Sequence, residues 1–116
     1  MNSADCTFCK IVAGEIPSDK VFADDRVTAF RDINPVAPTH ILIVPDKHIP
    51  SVNEIEAEDE KLVGHMFNVA RQLAERENIQ DSGYRLIINT GPDAGQVVFH
   101  LHLHVIGGQP MRHPMG

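Results

Sequence analysis

The chain has 116 residues, a formal charge of −6 and two cysteines. That length supports one domain, residues 1–116, with a real core, though small enough that oligomerisation would add stability. The acidic balance, with no basic stripe, excludes a protein that tracks nucleic-acid phosphates, and no apolar run approaches the ~20 residues of a membrane span.

In chain order, the opening Met1-Asn2-Ser3-Ala4-Asp5 is polar and lacks the pattern of a signal peptide, so a cytoplasmic protein is expected. Cys6 and Cys9 follow. In a reducing compartment a CxxC pair means metal or redox chemistry more often than a disulfide. A thioredoxin-like role wants a strand before the pair and a βαβ frame after it, and neither pattern is present. Zinc needs two further ligands. His48 and one of the C-terminal histidines are the natural candidates, and two incidental thiols are the remaining reading. Residues 8–13 read as a short helix stopped by Gly14 and by Pro17 beyond it. Residues 20–23 and 27–31 read as a hairpin turning at Asp24-Asp25. Asp32-Ile33-Asn34-Pro35-Val36-Ala37-Pro38 carries two prolines, which rule out helix and central strand.

Residues 39–44 form a continuous apolar run introduced by His40, as expected for a strand covered on both faces. A long helix is predicted over residues 57–77, with Glu56, Glu58, Asp59 and Glu60 at its positive end and Arg71 and Arg76 toward the other. Leu62, Met66, Val69 and Leu73 make one apolar row; Val63, Phe67, Ala70 and Ala74 make a second beside it. Two rows are wider than one sheet surface needs, so the second either meets a partner subunit or is covered by loops. Residues 84–89 and 99–106 read as further strands. Five strands with mostly short connections favour an antiparallel meander. Between the last two, Asn89-Thr90-Gly91-Pro92-Asp93-Ala94-Gly95-Gln96 is a glycine turn whose N–H groups suit an anion, a weak signal made stronger by its position.

That position is just ahead of Phe99-His100-Leu101-His102-Leu103-His104-Val105-Ile106. Strict alternation belongs to a strand and puts the three imidazoles on one side, each ~7 Å from the next. With an unperturbed pKa of ~6.5, imidazole offers a nucleophile, a proton donor or a metal ligand near neutrality. Burying three of them without partners would be costly. An affinity tag would lack the apolar interleaving and sit outside the fold.

His100-Leu101-His102-Leu103-His104-Val105-Ile106 resembles the signature of the histidine triad superfamily. The resemblance extends through residues 8–17, Phe30-Arg31-Asp32-Ile33-Asn34-Pro35, Ala37-Pro38-Thr39-His40, Asn89 with Gly95-Gln96, and Gly107-Gly108. It looks most like the histidine triad nucleotide-binding (Hint) branch. The resemblance implies an α+β fold: a five-stranded antiparallel sheet with one short and one long helix. Two subunits would pair through the long helix and a sheet edge into a continuous sheet. It also implies hydrolysis of purine nucleoside phosphoramidates, such as adenosine 5′-monophosphoramidate and lysyl-adenylate conjugates, with no organic cofactor.

On that resemblance, neutral His102 attacks the α-phosphorus and forms a nucleotidyl-histidine. Its second ring nitrogen donates to a backbone carbonyl. His104, the Gly95 N–H and the Asn89 side chain hold a phosphate oxygen. His40, near His100, is the candidate proton source. The base lies among Phe8, Ile11, Phe30 and Ile33, and Asp32 takes the ribose hydroxyls. Two departures stand out. After Gly95-Gln96 this chain has Val97 where Hint proteins typically have a serine, and the tail has His113 where animal relatives carry a tryptophan. Several relatives bind zinc through a CxxC, a histidine after the central strand and the first triad histidine, which here are Cys6, Cys9, His48 and His100. The rival readings are a dinucleoside polyphosphate hydrolase, a nucleotidyl transferase and a nucleotide-binding regulatory module with weak catalysis.

Overall fold

The computed structural model describes residues 5–116. Met1, Asn2, Ser3 and Ala4, on which the signal-peptide reading leans, lie outside the described residues. Cys6 starts the first element as its N-cap, its Sγ accepting from the Cys9 N–H, and α1 (Thr7–Val12) follows. β1 (Lys20–Ala23) and β2 (Val27–Arg31) form the expected hairpin. Its turn is closed by Asp24 Oδ1, which accepts from the N–H groups of Arg26 and Val27, both at 2.8 Å. β3 (Thr39–Pro45) is buried along its whole length, as an apolar run covered on both faces should be.

α2 (Glu60–Arg76) is preceded by a 3₁₀ turn, Ala57–Asp59. Glu56 and Asp59 cap that turn reciprocally, with the Glu56 N–H donating to Asp59 Oδ2 at 2.9 Å. β4 (Tyr84–Ile87) and β5 (Leu103–Gly107) complete an antiparallel sheet of order β1-β2-β3-β5-β4. The sheet is therefore not a simple meander. β5 takes the place beside β3 because its apolar residues are buried, and the half-buried β4 is left at the edge.

Register assigns the two faces. Phe30 opposes Leu42 and Leu42 opposes His104, so these three share one face with α1. Ala29, Ile43 and Leu103 share the other, where Met66, Val69, Ala70, Leu73 and Ala74 of α2 pack on them. Both predicted helix rows thus contribute to this chain's own core. Leu62 and Val63 also pack against it, and Phe67 alone stays largely exposed. Arg31 ties β2 to the end of α2 through a two-pronged contact with the Glu77 carboxylate, at 2.9 and 3.1 Å. Among the described residues, no helix is long and apolar enough to cross a membrane.

Candidate active site

The face of the sheet carrying α1 holds a cavity of about 490 Å³. Its wall is apolar on the α1 side, with Phe8, Ile11, Phe30 and Leu42, and it closes on His102 and His104. Regular pairing begins only at Leu103, so His100 and His102 lie just ahead of the strand rather than within it. The cause is local. β3 ends at Pro45, and the Leu101 N–H turns to the carbonyl of Ile49, at 2.7 Å. Alternation nevertheless persists through the bend: Leu101, Leu103 and Val105 enter the core under α2, and the histidines face α1.

Hydrogen bonds decide the tautomers. His102 Nδ1 lies 2.7 Å from the His100 carbonyl oxygen. A carbonyl only accepts, so Nδ1 carries the proton and Nε2 keeps its lone pair. The edge-on Phe8 ring, 5.1 Å away between centroids, holds the imidazole in that orientation. The Val36 N–H donates to His40 Nδ1 at 3.2 Å, so the His40 proton sits on Nε2. That nitrogen lies 2.9 Å from His104 Nδ1 and 3.4 Å from Asp32 Oδ2. His104 Nδ1 therefore accepts, and the His104 proton is on Nε2. His104 Nε2 is buried without a hydrogen-bond partner in a side chain that lines the cavity. A lone-pair nitrogen and an N–H donor thus stand side by side, their ring centroids 5.0 Å apart.

Burial keeps these rings neutral. It lowers the pKa of His40 and His102, and it carries His104 down to about 4, helped by His102 and His40 and opposed by Asp32. His100 is also pushed to about 4 by burial, against the pull of the Pro45 carbonyl.

His100 belongs to a second constellation, at the base of α1. Its Nδ1 lies 3.3 Å from Cys6 Sγ, 3.5 Å from Cys9 Sγ and 3.3 Å from His48 Nδ1. Cys9 Sγ is 3.2 Å from His48 Nδ1. A tetrahedral zinc with sulfur at ~2.3 Å and nitrogen at ~2.0 Å sets N···N near ~3.3 Å and S···N near ~3.5 Å. The donor set fits. His100 Nε2 is bound to the Pro45 carbonyl at 2.7 Å, which leaves Nδ1 bare toward the cluster, the orienting contact that metal-ligating histidines use. Burial and the adjacent Cys6 raise the Cys9 thiol to about 11, so a cation here must displace a firmly held proton.

The other sequence-predicted residues fall into place unevenly. Asp32, Ile33, Asn89, Gly95 and Val97 line the cavity with Phe8, Ile11 and Phe30. Ile33 is 90% and Val97 85% exposed, so both sit at the rim rather than in the core. His40 and His100 do not line it, and His40 stands beside His104 and Asp32 rather than beside His100. The Gly95 N–H is engaged by the Pro92 carbonyl at 3.0 Å, closing the turn instead of facing an anion. Gln96 is buried and staples the loop: its amide nitrogen donates to the carbonyls of Pro50 and Val98, and its oxygen accepts from the Gly91 N–H. Leu42 and Val98 were missed as wall residues. Leu42 directly opposes His104, a register that no local sequence pattern specifies.

Residues 13–111 match the HIT domain family model. The chain is 56% identical over 104 residues to the purine nucleoside phosphoramidase of Escherichia coli (strain K12), covering 90% of this chain and 87% of that protein. The crystal structure of a HIT family hydrolase from Legionella pneumophila Philadelphia 1 superposes with a TM-score of 0.94 at 46% identity, covering 97% of this chain and all of that one. A histidine triad protein from Clostridium difficile, also at 46% identity and a TM-score of 0.94, matches 99% of this chain. With sequence, fold and histidine row in agreement, the chain belongs to the HIT-domain family of hydrolases.

Proposed function

We propose that the protein hydrolyses the P–N bond of purine nucleoside 5′-phosphoramidates, releasing the nucleoside monophosphate and an amine. The observation that carries the reading is His102: its Nδ1 is held by a carbonyl and its side chain lines the cavity. The relative in Escherichia coli with this activity in its name supports the choice of substrate.

In this mechanism the purine enters the apolar wall of Phe8, Ile11 and Phe30, with Ile33 closing over it from the rim. Asp32 meets the ribose hydroxyls; its Oδ1 is anchored by the Asn34 N–H at 2.8 Å. His102 Nε2 attacks the α-phosphorus, the P–N bond breaks, and a nucleotidyl-histidine forms. The His104 Nε2–H and the Asn89 side chain hold a non-bridging oxygen as its charge grows. His40 acts one step back, presenting its Nε2–H to His104 and so keeping the His104 donor pointed at the phosphate. Because neither His40 nor His100 lines the cavity, the amine takes its proton from solvent at the open rim. Water then attacks the phosphorus, the bond to His102 Nε2 breaks, and the nucleoside monophosphate leaves while the proton lost by the water returns to solvent, balancing the one the amine took. Gln96 shapes the loop behind this site and leaves the phosphate to others.

Cys6, Cys9, His48 and His100 would hold a structural Zn²⁺. The ion would supply a cross-link between α1 and the triad segment rather than an activated water, because the nucleophile is itself an imidazole. The described cysteines are unpaired, which with this ligand set supports a reducing, cytoplasmic setting. A homodimer is part of the proposal. The β4 edge borders an apolar cleft of about 390 Å³, lined by Val36, Ile87, Ile106 and the tail at Met111, and Phe67 is 42% exposed. Both features suit a second copy of the chain.

Release of AMP from adenosine 5′-phosphoramidate by the purified protein tests the reading, with a diadenosine polyphosphate as the comparison substrate. Turnover of the phosphoramidate is expected to dominate. Preference for the polyphosphate would replace this function with dinucleotide hydrolysis.

A further inference from the structure

Among the described residues, two side-chain polar atoms are buried without a hydrogen-bond partner: His104 Nε2 and Ser18 Oγ. Both residues line the same cavity. The first is accounted for by the phosphate; the second has no part in the reaction described above.

Ser18 follows Pro17 and precedes Asp19, whose carbonyl accepts from the Arg31 N–H at 3.0 Å. It therefore stands in line with β1, whereas His104 lies on β5. With β2 and β3 between them, the two columns are three interstrand spacings apart, about 14 Å. A nucleoside monophosphate has the reach to cross that span. If its phosphate rests against His104 and its ribose against Asp32, the far edge of its base arrives near Ser18, past Phe8, Ile11 and Phe30. That stretch of wall is mainly apolar: beside Ser18 it carries Thr7, and Arg31, whose guanidinium is held by Glu77, so it measures the thickness of a purine more than it reads its edge.

We propose that Ser18 is a base-reading residue, its hydroxyl hydrogen-bonding the polar edge of the purine. The inference rests on the nucleotide reading above and extends it to recognition of the base. A hydroxyl both donates and accepts, so it can meet a ring nitrogen or an exocyclic group. Serine turns readily among its staggered χ1 wells, and the turn that meets the base also ends the unpaired state of Oγ. The cost of the orphan hydroxyl in the free protein is recovered only when nucleotide binds, a pattern common to sites selected for function over stability.

Ser18→Ala separates this role from a structural one. Calorimetric binding of AMP to wild type and variant is compared with binding of ribose 5-phosphate, which lacks the base. The AMP dissociation constant is expected to rise about fivefold, the effect of one ordinary hydrogen bond. Ribose 5-phosphate affinity should be unchanged, and the variant's melting temperature equal or higher. Unchanged AMP affinity, or equal weakening of both ligands, overturns the base contact while leaving the nucleotide reading standing. Failure of the wild-type protein to bind AMP overturns that reading and the contact together.

Discussion

At the scale of single residues, the chemistry turns on which nitrogen of each histidine holds its proton. Three contacts settle it: the His100 carbonyl on His102, the Val36 N–H on His40, and His40 on His104. Each is made by a backbone group or a second ring, so the assignment does not depend on solvent. His102→Ala is expected to lower turnover by several orders of magnitude while AMP binding and the melting temperature change little. The alanine removes the attacking atom but leaves the apolar wall, Asp32 and His104 in place. Single-turnover assays with isothermal calorimetry check both halves. Activity within tenfold of wild type would rule out a covalent histidine intermediate.

At the scale of elements, two links hold the site's supports together, and each can be cut. The first is the Cys6, Cys9, His48 and His100 cluster, which ties α1 and the segment after β3 to the bend ahead of β5. About one zinc per chain is expected by metal analysis of protein prepared without tag or chelator. The double substitution Cys6→Ser with Cys9→Ser should remove it and lower the melting temperature, with activity falling only as far as the His100 carbonyl loosens its hold on His102. Absence of zinc together with two freely titrating thiols would reduce the cysteines to packing. The second link joins β2 to the end of α2. The Arg31 guanidinium holds the Glu77 carboxyl below its ordinary value of 4.5. A carboxylate depressed in the folded state adds stability above its unfolded pKa, and that stability is lost as pH falls through the folded pKa. Glu77→Gln should therefore cost at most about 1 kcal/mol at neutral pH, since the pair is partly solvent-screened. Its stability should also fall less steeply than wild type below about pH 4.5 in denaturant titrations. Parallel acid limbs for the two proteins would show that the pair carries no linkage.

Of the sheet's two edge strands, β1 and β4, the second is crossed by the chain's own C-terminal tail, with the Arg85 Nη1–H donating to the His113 carbonyl at 3.1 Å. An exposed strand edge beside an apolar cleft invites pairing with another copy. Sedimentation at micromolar concentration is expected to give a species of twice the 12.8 kDa chain mass. A monomer across that range would show that neither the β4 edge nor the exposed Phe67 is covered by a second copy. The helix by itself is a weaker argument for the dimer than its two apolar rows suggest, because Ala70 and Ala74 lie flat on the sheet with Met66, Val69 and Leu73. Small side chains let the second row approach the same surface, so its width is taken up internally.

Much of this protein is legible in the sequence because the signals are local. Alternation across residues 99–106 gives the histidines one face. Two prolines mark the loop before β3, and an unbroken apolar run marks the central strand. CxxC spacing brings two sulfurs together on the first turn of a short helix. Proton positions and loop roles are not local. Gln96 and Gly95 look like phosphate donors along the chain, yet the fold spends their hydrogen bonds on Pro50, Val98 and Pro92. His40 is far from His104 in sequence, and only the pairing of β3 with β5 makes it the neighbour that sets the His104 tautomer. Likewise, β4 falls outside β5 because burial, not chain order, ranks strands in a sheet. Residue type and spacing determined which groups are available for chemistry. Long-range packing alone decided which of their atoms are already bonded and which are left to face the cavity.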